Sequence, residues 1–282
     1  VTRAGKATAA RPLAGEPRAG GLASLRAALS AEWTKLTTLP GTGWLLLALV
    51  VATAGLSVLA DAATSCSSGS CQADPARVSL TGIYLGQAIV VSFAVAAMTS
   101  EYSTGMIRVT FAAMPRRTAV LAAKAAVVTG PVVAAGAVAV LGSVLAGRLI
   151  LPGHGFTAAR GYLPLDLADE PVLRAAAGSV LYLALVGLLS LGVAALVRDT
   201  ALAAGLVLGL LYIVPIVAAV LGSSQLARHL QQLAPMTAGL AIQATTSLRS
   251  QPISPWAGIG VLAAWAAAAL ATGGIRVRRR DA

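Results

Sequence analysis

Six long apolar runs divide this chain, over residues 44–60, 80–98, 119–146, 172–197, 201–221 and 256–272. A helix rises about 1.5 Å per residue, so crossing a hydrocarbon core of ~30 Å takes about 20 apolar residues, within a range of about 17–25. Every run is long enough, and the third and fourth exceed what a span needs. The pattern predicts an all-α, polytopic membrane protein with six transmembrane helices. Composition agrees, since only 11% of the residues are charged and the mean hydropathy is +0.81. A soluble domain carries roughly 25% charged residues. A soluble enzyme with so few charges could not cover its surface.

Orientation follows from the basic residues in alternate loops. With the N-terminus inside, one side collects the tail residues through Lys35, then Arg108, Arg116, Arg117 and Lys124, then Arg198 and the four arginines from Arg276 to Arg280. That side holds 15 of the 21 Lys and Arg residues, and the other holds 6. Both termini are therefore expected in the cytosol, as an even number of spans requires. Only Lys6, Lys35 and Lys124 are lysines. This skew toward arginine, with the heavy alanine content, reads as coding bias.

The net charge of +11 would suit nucleic acid. The arginines flank apolar runs and form no stripe on a domain, so no nucleic-acid partner is expected. Residues 1–21 read as a disordered basic tail. No apolar h-region lies early in the sequence, so no cleavable signal peptide is expected there. Cys66 and Cys71 stand in the run Cys-Ser-Ser-Gly-Ser-Cys. A disulfide or free thiols fit better than a metal site, because His154 and His229 are far off in sequence. The charge count puts this loop outside, where a disulfide persists. The loop over 222–255 also falls outside. Leu226, Leu230 and Leu233 recur there at helical spacing ahead of Pro235-Met236. The segment reads either as short re-entrant or interfacial helices capping the outer end of a pathway or as an ordinary surface loop.

Two segments on the inner side are candidates for mechanism. Over 22–40, Leu22, Leu25, Leu29, Trp33 and Leu36 recur every three or four residues, which places them on one helical face. Ser24, Arg26, Glu32 and Lys35 lie off that stripe. An amphipathic helix at the inner interface is expected, serving either as an anchor or as a lever on a cytosolic partner. The second segment, 99–117, reads TSEYSTGMIRVTFAAMPRR. Glu101 sits where the second span ends, and Gly105 permits a tight turn. Ile107, Phe111 and Met114 then fall on one face of a short helix that Pro115 stops. Such an apolar face beside a membrane either docks on a partner or lies on its own membrane surface.

Absent motifs narrow the function. There is no G-x-x-x-x-G-K-[ST] and no H-E-x-x-H. No Asp or Glu falls in the middle of a run, which argues against ion coupling and intramembrane hydrolysis. Ser190 has no neighbouring His or Lys and reads as a helix-packing hydroxyl. Gly205 and Gly209 form a small-xxx-small pair, which serves packing within one bundle more often than a dimer contact. No cofactor and no metal is expected.

Three segments resemble the permease subunits of the ABC type-2 transporter family, a class of bacterial drug, antibiotic and lipid exporters. Ala31-Glu32-Trp33-Thr34-Lys35-Leu36 resembles the family's element S-E-W-x-K-L before the first span. Glu101-Tyr102-Ser103-Thr104-Gly105-Met106-Ile107-Arg108 resembles its segment E-Y-x-x-G-x-I-R after the second. Pro115-Arg116-Arg117 and Val120-Leu121-Ala122-Ala123-Lys124 are similar to its lead into the third. The resemblance implies a plasma-membrane permease that pairs, as a homodimer or heterodimer, with two cytosolic ATPase subunits. The 22–40 helix would be the connecting helix, acting through Leu25, Leu29, Glu32, Trp33, Lys35 and Leu36. The 99–117 loop would be the coupling helix, acting through Glu101, Gly105, Ile107, Arg108, Phe111 and Met114, with Glu101 and Arg108 holding the joint. ATP hydrolysis would fall to the partner, and 41–282 would form the transmembrane domain. A different class, a membrane anchor or sensor that recruits a cytosolic protein without transport, fits the bare residues as well.

Overall fold

A computed structural model describes residues 21–38, 40–66, 73–103, 105–106, 117–160, 162, 165–222 and 224–280. These residues are all-α, with no strand among them. The helices are α1 (Gly21–Thr38), α2 (Pro40–Ala63), α3 (Pro75–Ser79), α4 (Ile83–Ser103) and α5 (Arg117–Ile150). After them come α6 (Glu170–Val197), α7 (Thr200–Val220), α8 (Gln225–Leu233), α9 (Pro235–Leu240) and α10 (Pro255–Arg280). Six of these, α2, α4, α5, α6, α7 and α10, are long and apolar enough to cross a membrane.

The six long helices form a bundle with α6 at its centre. The most apolar stretch of α6 is 61% buried and that of α4 is 56%, against 17% for α2 and 22% for α7. The outer helices turn large apolar side chains outward, among them Trp44, Leu59, Leu149, Val220 and Trp256. That is the arrangement of a bundle whose solvent is lipid. Close approach requires glycine where α6 crosses α10. A Cβ on Gly192 would stand 2.5 Å from the Ala269 carbonyl carbon, so any larger residue would push the two helices apart.

α5 has 34 residues. At about 1.5 Å per residue it is ~50 Å long, well beyond the ~30 Å hydrocarbon core. Its run was read as 119–146, and the helix continues past that run at both ends. α2 likewise runs to Ala63 and takes in Asp61, which the run ending at residue 60 left out. Asp61 is fully buried and accepts from Ser79 Oγ at 2.9 Å. Pro131 and Pro215 lie inside α5 and α7. Ser190 is buried and donates to Val186 O, as a packing hydroxyl does. Among the described residues the Gly205/Gly209 pair packs on no other helix, since a Cβ on Gly205 would meet nothing within 4 Å and one on Gly209 only Ile213 of the same helix. The expectation that this pair packs inside the bundle is therefore corrected.

At the end of the bundle away from α1, the segment 222–255 folds as two helices. α8 is capped by Ser224, whose Oγ accepts from Ala227 N. α9 sinks into the bundle, with Pro235, Met236, Ala238, Gly239 and Leu240 all buried. Met236 Sδ accepts from Gln87 Nε2 at 3.4 Å, and Tyr182 donates to Gln87 Oε1. Asp74 then fixes the strand of chain after α9. Its carboxylate accepts from Thr245 N and Thr245 Oγ1 at 2.6 Å each and from Thr246 N at 3.0 Å. The segment is thus divided, with α9 packed into the bundle and α8 mostly exposed on it. Cys66, at the same end, is disulfide-bonded. Cys71 lies outside the described residues.

Candidate functional site

The end of α4 is the most heavily tied point in the bundle. Three groups of contacts converge there, and each begins with a residue the sequence singled out or passed over.

The first is a closed ring of four charges. α1 contributes Glu32 and Lys35, α4 contributes Glu101, and α5 contributes Lys124. Lys124 Nζ donates to Glu32 Oε2 at 2.5 Å and to Glu101 Oε1 at 2.9 Å. Lys35 Nζ donates to Glu32 Oε1 at 2.9 Å and to Glu101 Oε1 at 2.9 Å. The charges alternate around the ring and sum to zero. Glu32, Glu101 and Lys124 are buried, and only Lys35 keeps partial access to solvent. Lys124 also donates to Ala97 O at 3.3 Å. Burying ions is costly unless each is paired and hydrogen-bonded. A single Lys–Glu pair would leave lone pairs and protons unmet, and four alternating groups meet more of them.

Helix geometry explains how α1 delivers two of the four. Residues 28, 32, 35 and 36 fall on one face at the spacing of a helix. Ala28, Glu32 and Leu36 are buried on it and Leu29 is partly buried beside them. This face is rotated away from the predicted apolar stripe. Trp33, read as part of that stripe, is 52% exposed. Glu32 and Lys35, read as off the stripe, turn into the bundle. The face that packs is chosen by ion pairing with α4 and α5 as well as by apolar area. Leu25 lies on α1, and its side chain is outside the described residues.

The ammonium of Lys35 feels two opposing effects. Partial burial pulls its pKa down. The hydrogen bonds and charges of Glu101 and Glu32 outweigh that and hold it above the ordinary 10.5.

The second contact group is aromatic. The Arg198 guanidinium lies over the Tyr102 ring, 5.2 Å from its centroid, at a distance where cation–π attraction operates. Arg198 closes α6 in a left-handed conformation, with φ 67°. It is the one basic residue of the α6–α7 turn. The third group is a hydroxyl pair, in which Thr200 Oγ1 donates to Thr99 Oγ1 at 2.7 Å. α4 thus ends clasped by α1, α5 and the α6–α7 turn.

Just beyond, Gly105 takes φ +70°, a left-handed conformation that glycine adopts without strain. Gly105 N donates to Tyr102 O at 3.3 Å, so the turn closes on the clasped residue. The chain emerges toward the loop from a rigid base. Met106 is exposed. Ile107, Arg108, Phe111 and Met114 lie outside the described residues.

Of the predicted site residues, the fold brings Glu32, Lys35 and Glu101 into direct contact, with Leu36 in the core beside them. Lys124 was placed inside the third span without a role and proves central. A signal for it existed. Of 21 basic residues only three are lysine, and two of those three are in the ring. Lysine is a compact point charge with three donors, which suits a small closed ring better than the broad fork of arginine. The arginine skew had therefore set the lysines apart. Arg198 over Tyr102 was not foreseen either. Among the described residues no cluster of His, Cys, Asp and Glu could hold a metal ion.

Comparison with known proteins yields no match: no protein-family model, no curated protein and no solved structure matches this chain.

Proposed function

We propose that this chain is the membrane-spanning permease subunit of an ATP-driven exporter of the ABC type-2 class, working in a bacterial plasma membrane with a second permease chain and two cytosolic ATPase subunits. One observation supports this reading above the others. The ring of Glu32, Lys35, Glu101 and Lys124 draws one or two residues from each of the three segments that carry the resemblance. Segments that share a task at one joint belong together in space, and these three do.

In this reading the α1 end faces the cytosol, as the basic residues favour. The loop after α4 seats on the ATPase. ATP binding draws the ATPase subunits together and moves that loop. The base of the loop is bonded to α1, α5 and the α6–α7 turn, so the motion passes to several spans at once. α8 and α9 close the far end of the path. ATP hydrolysis is left to the partner, since the chain has no P-loop.

The test is co-expression with any P-loop ATPase encoded beside this gene. Co-purification of the two, with ATP-dependent efflux from vesicles, is the expected result. A stable, inserted chain that captures no ATPase, from a locus with no such neighbour, would favour a non-transporting anchor or sensor.

A further inference from the structure

A half-open cavity of about 470 Å³ lies between α1, α2, α4 and α5. That volume falls within the range of small-molecule sites, about 300–1,000 Å³. Its chemistry is divided. Leu36, Leu45, Phe93, Val127 and Val128 supply apolar wall. The four residues of the charged ring, Glu32, Lys35, Glu101 and Lys124, also line it. Thr42, on the first turn of α2, adds a hydroxyl.

The division runs along the helix axes. Thr42 opens α2, Glu101 lies near the end of α4, and Lys124 lies about 10 Å along the overlong α5 from its first residue, at 1.5 Å per residue. These polar groups sit at the ends of spans, at headgroup depth. Leu45, Phe93, Val127 and Val128 lie deeper along the same helices. A molecule with a polar head and an apolar tail would enter in the orientation it already holds in the leaflet.

The polar end also selects the head. The ring is charge-balanced, so a head carrying a net charge of either sign would leave one buried charge uncompensated. Two groups lack partners. Glu101 Oε2 is buried and accepts no hydrogen bond among the described residues. The Thr42 hydroxyl makes no hydrogen bond there either, and it stands half-buried in the wall. A hydroxyl shares a hydrogen bond with Thr42 and brings no net charge to the ring. We infer that this cavity binds an uncharged, hydroxyl-headed amphiphile drawn from the adjoining leaflet, of the long-chain alcohol or monoacylglycerol kind. The inference stands on the cavity alone and does not require the ATPase.

The test uses the full chain in lipid nanodiscs and a photoreactive hexadecanol. Crosslinks are expected on residues 41–45, 93–101 and 124–128. Hexadecanol in excess should cut them about tenfold, while hexadecylamine and palmitate at the same concentration should not, a discrimination of about 1.4 kcal/mol. Ala97→Phe and Leu45→Trp fill the cavity from two sides and should each abolish the crosslinks. Equal competition by the charged amphiphiles would overturn the inference, as would crosslinking that survives both substitutions or falls only on outward-facing residues. If a filled variant fails to fold, the competition series on the unaltered chain still decides.

Discussion

Lys124 Nζ meets Glu32 Oε2 at 2.5 Å across 92 residues of sequence, and both side chains are buried. This one contact ties the helix before the first span to the third span. Glu101 sits on the other side of the same ammonium, so the end of the second span is held by it too. Removing the lysine leaves two carboxylates facing each other with only Lys35 between them.

Lys124→Met should therefore cost about 3–5 kcal/mol of stability, the range for breaking a buried ion pair from one side. Lys124→Met with Glu32→Met restores charge balance and should recover part of that loss, leaving Lys35 and Glu101 as a neutral pair. Unfolding of the purified single and double variants in detergent gives the coupling energy, expected at about 1–3 kcal/mol. Losses that simply add would show that the two residues act separately.

Lys35 gives the ring a pH limit. Its pKa is held above 10.5 in the folded chain by Glu101 and Glu32. A raised lysine pKa stabilises fully below the ordinary value, and the contribution is lost as pH rises through the folded value. Docking of α1 should be constant up to about pH 10 and weaken above it. Trp33 reports this, with Trp44, Trp256 and Trp265 replaced by Phe. Lys35→Arg should carry the docked signal to higher pH, and Lys35→Met should remove the transition.

Gly105 separates the turn from the bundle. Its φ of +70° excludes proline, which is confined near −65°. A Cβ there would meet nothing within 4 Å, so alanine brings backbone strain and no clash. Gly105→Pro should insert and unfold like the parent chain while losing ATPase binding, and Gly105→Ala should weaken that binding. Phe111→Asp should break it as well. Pull-down with the ATPase and thermal unfolding are the two readouts. Normal stimulation of the ATPase by Gly105→Pro would remove the loop from the coupling role.

The six spans were legible because membrane-crossing length and hydropathy are local properties. The end of each helix was less so. Asp61 fell outside its run because one acidic residue breaks an apolar pattern, although the helix continues and buries it against Ser79. The ring was half legible. Glu32, Lys35 and Glu101 stand in recognisable segments, but pairing depends on which ends of which helices meet, and no local pattern carries that. Glu32 shows the limit plainly. Spacing put it off the apolar stripe, and pairing with Lys124 turned it inward. Asp74 gave no signal of this strap, because Thr245 and Thr246 lie 171 and 172 residues away.

Asp74 should prove to be the strap of the far end. Asp74→Ala would leave the N–H groups of Thr245 and Thr246 without their acceptor, each costing about 1–3 kcal/mol if it stays dry. The segment after α9 should then loosen. Amide exchange at Thr245 and Thr246 should accelerate while exchange in α6 stays unchanged. Asp74→Asn keeps one acceptor oxygen and should fall between the two. Unaltered exchange in Asp74→Ala would mean that burial of α9 alone holds the segment.

The disulfide at Cys66 offers a direct reading of which way the bundle faces. Cys66 lies at the end opposite α1 and its backbone N–H donates to His154 O at 2.8 Å, which fixes it beside α5. Its sulfur is held in the disulfide, so reduction must precede any labelling. If the α1 end is cytosolic, a membrane-impermeant maleimide should label reduced cells from outside. Arg276→Cys, at the α1 end on a Cys66→Ser/Cys71→Ser background, should label only after the membrane is opened. The reverse pattern would place α1 and the charged ring outside, beyond the reach of any cytosolic ATPase. That outcome would sink the exporter reading whatever the other variants did, because the loop after α4 could then meet no ATP-driven partner.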